Sequence, residues 1–411
     1  MRKSTILIGK TIQKLSRLRG GGSALPGLVI ERLDPNFVKT ILEKLPHGFV
    51  VISGTNGKTT TTKMVTELLE NEGLKVFTNK TGSNFVRGVI SAILKNIETN
   101  GKFDYDIAVL ELDEAHAVKF SEVAPIDYAL LLNIQRDQLD RFGEIDYVTK
   151  CLQKVAEKTK KAVILNREDP QVCEIEAKNP VYFGLSDALV KKFPSDDNII
   201  VHSDKKASDK PAKVILEKLG NEATFNIEQK IYATPLAVRG IYNAFNAAGA
   251  LATVITVLKK SNNEKLIAKL SEIKSAFGRG EIFTIKGNEV ELFLVKNPSA
   301  FDLSLVSFAD DKHDFLIAIN DEIADGRDIS WLWDVDFDKL KEIKIASGLR
   351  AADMALRLKY EDIPVEYIVE DLRKAIKLFI SDSKKPKRIF ATYTAMLEIR
   401  KIILGKSLEW N

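Results

Sequence analysis

The chain has 411 residues, of which 45% are hydrophobic and 29% are charged, as is usual for a globular enzyme with two or three domains. Its 61 Lys and Arg residues and 57 Asp and Glu residues give a net charge of only +4, which argues against a nucleic acid partner. Its two cysteines, Cys151 and Cys173, can form neither a four-thiolate zinc site nor a disulfide framework. We therefore expect a protein of the reducing cytosol that holds no zinc.

Residues 1–47 form a lead-in segment before the first domain. Lys10 and Lys14 interrupt the apolar core that a signal peptide would need. Four apolar residues share one face of a predicted helix: Ile8, Ile12, Leu15 and Leu18. Because basic residues surround that face, the helix either packs on its own protein, which we favour, or lies on a membrane surface.

Over residues 48–277 the chain alternates between short apolar strands and amphipathic helices. The predicted strands are GFVVIS (48–53), LKVFTN (74–79), YDIAVLEL (105–112), DYALLLN (127–133) and KAVILN (161–166). This alternation predicts a doubly wound α/β domain with a mostly parallel sheet. The apolar stretch 241–258 contains two asparagines, and we predict a buried helix there rather than a membrane span.

Two regions depart from this alternation. Residues 186–230 are polar and irregular in pattern, and we interpret them as an insertion in the first domain. After residue 277 a second series of short strands begins, with VELFLVKNP, DFLIAIND, KEIKIASG, VEYIV and KRIFATYT. We therefore predict a second, smaller α/β domain over residues 278–411.

The stretch VISGTNGKTT lies between a predicted strand and a predicted helix and ends in Gly-Lys-Thr. It has Ile52 where the usual phosphate-binding loop has its first glycine. The context still favours a loop whose backbone N–H groups surround a phosphate over a chance turn. Lys58 is predicted to contact the β- and γ-phosphates and Thr59 to hold Mg²⁺. The predicted nucleotide contacts of the loop are Gly54, Thr55, Asn56, Gly57, Lys58, Thr59 and Thr60.

Three further stretches carry polar residues at predicted strand or helix ends. AVLELDEAH ends a buried strand with Glu111, Asp113 and Glu114, which either bind Mg²⁺ or are simply solvated. LLNIQRDQLDRFGEID continues a strand into a charged turn, which is either part of a site or a surface salt-bridge cluster. GIYNAFNAAGA has two asparagines on an apolar helix, explained by a ligand contact or by a helix N-terminus.

In this order, the four motifs resemble those of the Mur ligase superfamily, the ATP-dependent amide-bond-forming ligases of peptidoglycan and folylpolyglutamate synthesis. GTNGKTTT resembles the glycine loop of the superfamily, and LEL places Glu111 where its members have a Mg²⁺-binding glutamate. NIQRDQLDR resembles a stretch in which Gln138 replaces a metal-binding histidine. GIYNAFNAAGA resembles a nucleotide-binding helix, which implies a contact of Asn243 with adenine. FGRGE resembles the hinge before the C-terminal domain, which implies that Arg279 lies close to the nucleotide.

The departures from these patterns resemble one family of the superfamily, the MurT ligase subunits of lipid II isoglutaminyl synthase. Gln138 and Tyr242 each stand where other members have a histidine, and LVKNP stands where they have Asp-Tyr-Ala-His-x-Pro. Four further stretches also resemble this family: GGGSALPG, ADGRDISWLWDVDF, SGLRAADMALRLKY and YTAMLEIRK. The resemblance covers residues 20–401. MurT proteins usually carry a four-cysteine zinc ribbon in the central domain, but the corresponding residues 185–230 contain no cysteine.

The resemblance implies amidation of the α-carboxylate of D-glutamate in lipid II, with ATP and Mg²⁺, through an acyl phosphate in which Lys58 and Glu111 are catalytic. Ammonia would come from a GatD-like glutaminase subunit, in a heterodimer placed in the cytoplasm or at the inner membrane face where lipid II lies. In the family the C-terminal domain binds that subunit and is thought to lend it an aspartate, for which Asp325 is our first choice and Asp328 our second. Two tryptophans beside these aspartates are either interface anchors or part of a second core: Trp331 and Trp333.

Two other functions stay open. A stand-alone amino acid ligase of the Mur or folylpolyglutamate type is expected to have a histidine at position 138 and Asp-Tyr-Ala-His at 294–298, and both are missing. A nucleotide-binding scaffold without catalysis would not need intact phosphate and metal groups. Those groups are all present, as Lys58, Thr59, Glu111 and Asn243.

Overall fold

A computed structural model describes most of the chain as two α/β units. The described residues are 3–18, 24–79, 85–135, 145–193, 206–274, 278–285, 287–382 and 384–405. Within them, one nine-stranded and one six-stranded sheet form, and helices flank both. The predicted α/β fold, with a mostly parallel sheet followed by a smaller α/β domain, is confirmed.

The larger sheet belongs to the central domain. Its strands are β1 (Phe49–Ser53), β2 (Val76–Thr78), β3 (Ile107–Glu111), β4 (Tyr128–Leu131), β5 (Ala162–Asn166), β6 (Pro180–Leu185), β7 (Ala212–Leu219), β8 (Ala223–Ile227) and β9 (Lys230–Thr234). They are ordered β2-β3-β1-β4-β5-β6-β7-β8-β9, and the pairs β7–β8 and β8–β9 are antiparallel while the others are parallel. The helices are α1 (Lys3–Leu18), α2 (Ala24–Leu33), α3 (Phe37–Leu42), α4 (Lys58–Asn71), α5 (Val86–Asn96), α6 (Glu114–Val123), α7 (Ile145–Glu157), α8 (Pro170–Cys173), α9 (Asp187–Val190), α10 (Ile241–Leu258) and α11 (Asn263–Leu270).

The first strand of the chain lies inside this sheet, third in the strand order. All five residues of β1 are buried, and hydrophobic clusters cover both faces of the sheet, as expected for parallel strands flanked by helices on each side. β1 pairs in parallel with β3 on one side and β4 on the other. The carboxyl ends of these three strands therefore lie side by side, and ligands bind at the carboxyl ends of the strands in folds of this kind.

The segment 186–230 is more regular than its sequence pattern indicated, and the predicted irregular insertion is wrong for most of it. It contains α9, β7 and β8, while residues 194–205 lie outside the described residues. β8 buries only alternate residues, which are Ala223, Phe225 and Ile227. Because the residues between them are solvent-facing, the strand has a low average hydrophobicity and was missed.

The apolar helix α10 lies in the core of the central domain. Among the described residues it is the one helix long and apolar enough to cross a bilayer, but 83% of it is buried inside the protein. It packs against α4, β6 and β7. The predicted buried helix is confirmed.

The smaller sheet forms the C-terminal domain. Its strands are β10 (Arg279–Ile285), β11 (Asn288–Leu294), β12 (Asp314–Ala318), β13 (Ile343–Ser347), β14 (Val365–Val369) and β15 (Lys387–Ala391). They are ordered β10-β11-β15-β12-β13-β14, and only β10 is antiparallel to its neighbour. The helices are α12 (Pro298–Phe308), α13 (Ala351–Lys359), α14 (Leu372–Asp382) and α15 (Tyr393–Leu404), with a short 3₁₀ helix at Ser330–Asp334.

A group of charged side chains joins the two domains. Glu291 of β11 is only 1% exposed and accepts hydrogen bonds from Arg239, which precedes α10, and from Arg388 Nε at 2.6 Å. The Arg388 guanidinium also donates to Asp310 Oδ2 at 2.8 Å. One buried carboxylate thus neutralises charge from both domains.

We expect Glu291→Gln to lower the free energy of unfolding by roughly 3 kcal/mol, because it leaves a buried guanidinium without its main counter-charge. Urea denaturation measures this change. The matched control is Glu289→Gln, an exposed residue of the same strand, which should shift stability by less than about 0.5 kcal/mol. Equal effects of the two substitutions would show that the cluster does not stabilise the domain contact.

A buried carboxylate in α12 has an unusual titration. Asp302 is 7% exposed, and its Oδ1 accepts a hydrogen bond from Asp336 N at 2.9 Å. Burial raises the pKa of Asp302 to about 7, although that hydrogen bond acts in the opposite direction. The ionised form is therefore disfavoured in the folded state.

This carboxyl should make the protein less stable as the pH rises from about 4 to about 7. In that window the folded state holds a proton that the unfolded state has lost, so the free energy of unfolding falls by up to about 1.4 kcal/mol per pH unit and levels off above it. Asp302→Asn keeps an acceptor for Asp336 N but cannot ionise. Denaturation curves at about pH 5 and about pH 8 should show a smaller difference for the variant than for the wild type, and identical differences would contradict this assignment.

Candidate functional site

The loop between β1 and α4 lies at the centre of the candidate nucleotide site. Gly54 and Gly57 have positive φ angles of 129° and 88°, which other residues rarely adopt. A Cβ on Gly54 would lie 2.9 Å from the backbone N of Asn133. A Cβ on Gly57 would lie 2.5 Å from Oδ1 of Asn246. Glycine is therefore required for the close approach of this loop to its neighbours, and the N-terminus of α4 adjoins it.

The segment after β4 holds this loop in place. Asn133 Oδ1 accepts from Asn56 N at 2.8 Å, and Asn133 Nδ2 donates to Asn56 O at 3.1 Å. Gln135 N donates to Thr55 Oγ1 at 3.0 Å, and Gln135 Oε1 accepts from Asn56 Nδ2 at 2.6 Å. Sequence reasoning had assigned no such contact to Asn133 or Gln135. A strand ending in asparagine at the sheet edge beside the glycine loop was the available signal.

Lys58, the first residue of α4, connects the loop to two acidic side chains. It is 8% exposed, and its Nζ donates to Gly54 O at 2.6 Å. The same Nζ lies 3.3 Å from Asp113 Oδ1 and 3.6 Å from Glu114 Oε1. These carboxylates stabilise the buried ammonium ion, and a phosphate bound in the loop would compete with them for it.

Thr59 and Glu111, the two predicted Mg²⁺ ligands, are in direct contact. Thr59 Oγ1 donates to Glu111 Oε1 at 2.9 Å. Asn79 fixes the backbone of Glu111 by donating to its O at 2.8 Å and accepting from its N at 2.9 Å. Such a hydroxyl–carboxylate pair fits Mg²⁺, which takes few protein ligands and keeps several waters. Among the described residues no group of three or more His, Cys, Asp or Glu side chains could hold a metal ion, and Gln138 lies outside them.

A cavity of about 220 Å³ opens beside the loop. Its polar lining combines loop residues with side chains from several other segments of both domains, among them Asn56, Gly57, Asn133, Gln135, Asn246 and Arg279. Its apolar lining comes from the central domain, with Leu185, Val190, Phe193 and Phe245, and from the C-terminal domain, with Leu294, Ala300 and Leu303. A mixture of amide and apolar side chains suits a nucleobase.

The two asparagines of α10 have different positions relative to this cavity. Asn246 lines it next to Gly57. Asn243 is 1% exposed, donates to Arg239 O at 2.6 Å and does not line it. The rotation of α10 in the core thus places the second asparagine at the cavity, and the contact of Asn243 with adenine stays a prediction.

Tyr242 and Arg279 also line the cavity. Burial raises the pKa of Tyr242 to about 12, although the nearby Arg279 charge favours ionisation. The phenol therefore stays neutral at physiological pH and cannot act as the titratable group that a histidine would provide. Arg279 is the first residue of β10, so both domains contribute to the cavity.

The C-terminal domain reaches the loop through two residues that follow β11. Asn297 is fully buried, and its amide exchanges two hydrogen bonds of 3.2 Å with the amide of Asn56. Lys296 Nζ donates to Thr55 O at 3.2 Å. Asn297 also caps α12 by accepting from Ala300 N at 2.9 Å. Sequence reasoning used LVKNP only as a family marker, although asparagine before proline at a helix start was a usable signal.

The two aspartates considered for a partner's active site differ in exposure. Asp325 is 5% exposed, and its Oδ1 accepts from Thr394 N at 2.7 Å in the first turn of α15. Burial raises the pKa of Asp325, opposed by its hydrogen bonds to Thr394. Asp328 is exposed, and its Oδ1 accepts from Ser330 N at 2.8 Å. Accessibility therefore favours Asp328 over our first choice, Asp325.

The two tryptophans beside these aspartates also differ. Trp331 is partly buried and packs against the core residue Phe301, with ring centroids 6.5 Å apart. Trp333 is 50% exposed and packs edge-on against Tyr360, which is 71% exposed, at 5.2 Å. Trp331 is thus part of the second core, whereas Trp333 lies on an exposed surface that could serve as an interface.

Solved structures place this fold among the Mur ligases. The pseudomurein peptide ligase type C from Methanothermus fervidus aligns with a TM-score of 0.70 at 20% identity, over 90% of this chain and 81% of its own. MurF from Acinetobacter baumannii aligns with a TM-score of 0.67 at 19% identity, over 88% of this chain and 78% of its own. The MurF ligase from Thermotoga maritima in complex with ADP aligns with a TM-score of 0.61 at 19% identity, over 90% of this chain and 83% of its own. The chain therefore has the Mur ligase fold.

Sequence relatives narrow this class to one family. The family model of the Mur ligase middle domain matches residues 52–254, and that of the MurT ligase C-terminal domain matches residues 294–396. The lipid II isoglutaminyl synthase (glutamine-hydrolyzing) subunit MurT of Streptococcus pneumoniae is 29% identical over 96% of this chain and 95% of its own length. The subunit of that name in Staphylococcus aureus is 31% identical over 90% of this chain and 91% of its own length. The chain belongs to the MurT family.

Proposed function

We propose that this chain is the ligase subunit of a lipid II isoglutaminyl synthase. It amidates the α-carboxylate of D-glutamate in lipid II, with ATP as phosphoryl donor and ammonia from a GatD-like glutaminase subunit. The single observation that carries the proposal is the hydrogen bond between Thr59 and Glu111, next to the buried Lys58 of the glycine loop, in a chain of the MurT family.

The proposed reaction has two steps. The carboxylate is a poor electrophile, so one of its oxygens first attacks the γ-phosphorus of ATP, which gives an acyl phosphate and ADP. Ammonia then attacks the carbonyl carbon, loses a proton and expels phosphate, which leaves the amide. Both steps depend on neutralising phosphate charge in a site that excludes water.

The residues around the loop supply this neutralisation. The buried Lys58 ammonium would contact the β- and γ-phosphates, and the loop N–H groups and the α4 N-terminus would add partial positive charge. Mg²⁺ held by Thr59 and Glu111 would screen the phosphate oxygens during transfer. Lys296 brings a second ammonium to the same loop from the C-terminal domain.

Neither cysteine of this chain suits the glutaminase step. Burial raises the pKa of Cys151, and it raises that of Cys173 to about 11, so both thiols stay protonated at neutral pH. A nucleophilic cysteine needs the opposite shift. These shifts support a separate chain as the source of ammonia.

We propose that the partner docks on an exposed apolar surface of the C-terminal domain. Leu356 of α13 and Tyr360, which caps the C-terminus of that helix, are 50% and 71% exposed. Trp333 packs on Tyr360, and Arg357 lies over the Trp333 ring at 5.2 Å. Aromatic side chains are usual anchors of such interfaces, and the buried Arg357 supports the Trp333 ring from inside the domain. Asp328 lies five residues before Trp333 in the same connection.

Zinc should be absent from the purified protein, because Cys151 and Cys173 together with four histidines scattered along the chain do not form a tetrahedral ligand set. Elemental analysis of the chelator-treated protein measures this. One zinc per chain that survives chelation would contradict the expectation and would require ligands outside the described residues.

The proposal is tested by co-expressing the chain with a GatD-like glutaminase and measuring ADP release with lipid II and glutamine. We expect ADP release to require both substrates, with D-isoglutamine found in the lipid-linked product by mass spectrometry. A nucleotide-binding scaffold would release no ADP. A stand-alone ligase would release ADP with an added amino acid and without the partner.

A further inference from the structure

The N-terminal helix α1 has one buried face and one exposed face. Its buried face carries mainly small residues, and Gly9 comes so close to α5 that a Cβ there would lie 2.6 Å from Leu94 Cδ2. Its exposed face carries large aliphatic residues: Leu7 at 61%, Ile8 at 42% and Leu15 at 55% exposure. The helix packs on its own protein, as the sequence analysis favoured. The face that contains Ile8 and Leu15, which was predicted to pack, is instead exposed to solvent.

The neighbouring helix α2 extends this exposed surface. α1 and α2 pack against each other, and Leu25 and Leu33 of α2 are 51% and 58% exposed. We call the exposed residues Leu7, Ile8, Leu15, Leu25 and Leu33 the N-terminal apolar surface. Clustered exposed aliphatic side chains of this kind mark a site of contact with a protein or a membrane.

The charge around the α1 part of this surface is positive, whereas α2 adds Glu31, which pairs with Arg87, and Asp34 follows Leu33. The first thirty residues contain six Lys and Arg residues and no Asp or Glu, whereas the rest of the chain has more acidic than basic residues. Lys14 is exposed beside Leu15, and Lys10 is half-buried on the next turn back. Protein interfaces are depleted of lysine at their core, whereas helices that lie on anionic bilayers have lysine around an apolar face.

A series of packing contacts links α2, which carries part of the N-terminal apolar surface, to the helix that follows Glu111. α2 crosses the start of α5 so closely that a Cβ on Gly27 would lie 2.0 Å from Arg87 O. Just before α5, the ring of Phe85 lies 5.6 Å from that of His116. His116 is in α6, which begins three residues after Glu111. These contacts connect the helices that carry the surface to the segment that carries Glu111, the predicted Mg²⁺ ligand.

We propose that the N-terminal apolar surface binds anionic phospholipid bilayers, with its aliphatic side chains at the acyl boundary and Lys10 and Lys14 at the lipid phosphates. The binding holds the site beside the membrane plane. The membrane binding is inferred independently of the proposed function. Only the purpose of the binding, which is to reach a substrate whose lipid tail stays in the bilayer, rests on that function.

The test is flotation of the full-length chain with its partner subunit on vesicles of phosphatidylcholine, with and without phosphatidylglycerol, in the absence of ATP and substrate. We expect binding only to the anionic vesicles, and loss of binding in high salt. The triple variant Leu7→Ser, Ile8→Ser, Leu15→Ser should bind at least about tenfold more weakly. The double variant Lys10→Gln, Lys14→Gln should bind roughly thirtyfold more weakly.

Matched controls come from exposed residues elsewhere in the chain. Ile231→Ser removes an aliphatic side chain that is 60% exposed in β9, and Lys44→Gln with Lys230→Gln removes two exposed charges. Both controls should bind like the wild type, and all variants should keep its unfolding midpoint. Equal binding to both vesicle types, no binding to either, or loss of binding in the controls would overturn the proposal. Since no substrate is present, this outcome is independent of whether the amidation is correct.

Discussion

Asp328→Asn is expected to slow glutamine-driven amidation by up to ~10⁴-fold, while ammonium-driven amidation at raised pH continues. The exposed carboxylate would orient and stabilise a catalytic histidine of the glutaminase subunit, and asparagine keeps its size but removes its charge. Mass spectrometry of lipid II, incubated with ATP and either glutamine or ammonium chloride, measures both activities. Loss of both would place Asp328 in the ligase reaction and contradict the role proposed here.

Asp325→Asn is the matched control for this prediction. Asp325 is buried, and its carboxylate accepts hydrogen bonds from Thr394. The substitution should therefore affect the stability of the C-terminal domain more than the glutaminase step. We expect glutamine-driven and ammonium-driven activity to change in parallel in this variant. The reverse result, in which only Asp325→Asn separates the two activities, would restore our first choice from the sequence.

Lys58→Met is expected to slow amidation by about 10²-fold or more with either nitrogen source, because it removes the charge that neutralises the transferred phosphoryl group. Methionine keeps most of the side-chain length. Steady-state ADP release in the complex measures the effect. Near-normal ADP release in this variant would exclude the assigned role of Lys58.

Lys63→Met is the matched control for the same helix. Lys63 lies on α4 but is one-third exposed and pairs with Glu67 at 3.7 Å, away from the loop contacts. Its loss should leave the rate nearly unchanged. Lys58 neutralises the buried Glu114 and the partly buried Asp113, so unfolding midpoints must accompany the kinetic data to separate lost catalysis from lost stability.

The sequence by itself determined the central sheet, the nucleotide loop and the family. β1, β3, β4 and β5 are short apolar runs between turn residues, and such runs are recognisable because both faces of a parallel sheet are buried. Gly54 and Gly57 were recognisable because their backbone angles leave little choice of residue. The information in these features is local, so it can be read from neighbouring residues in the chain.

Only the tertiary structure decided which side chains meet at the site. Asn246 replaces Asn243 at the cavity because the packing of α10 sets its rotation, and no local pattern encodes that angle. Asn297 reaches Asn56 from the other domain, 241 positions along the chain. Asp325 proved to be buried because α15 docks on it. The exposed face of α1 follows the same rule, since a small-residue face fits α5 more closely than an aliphatic one, and shape rather than hydrophobicity decides which face packs.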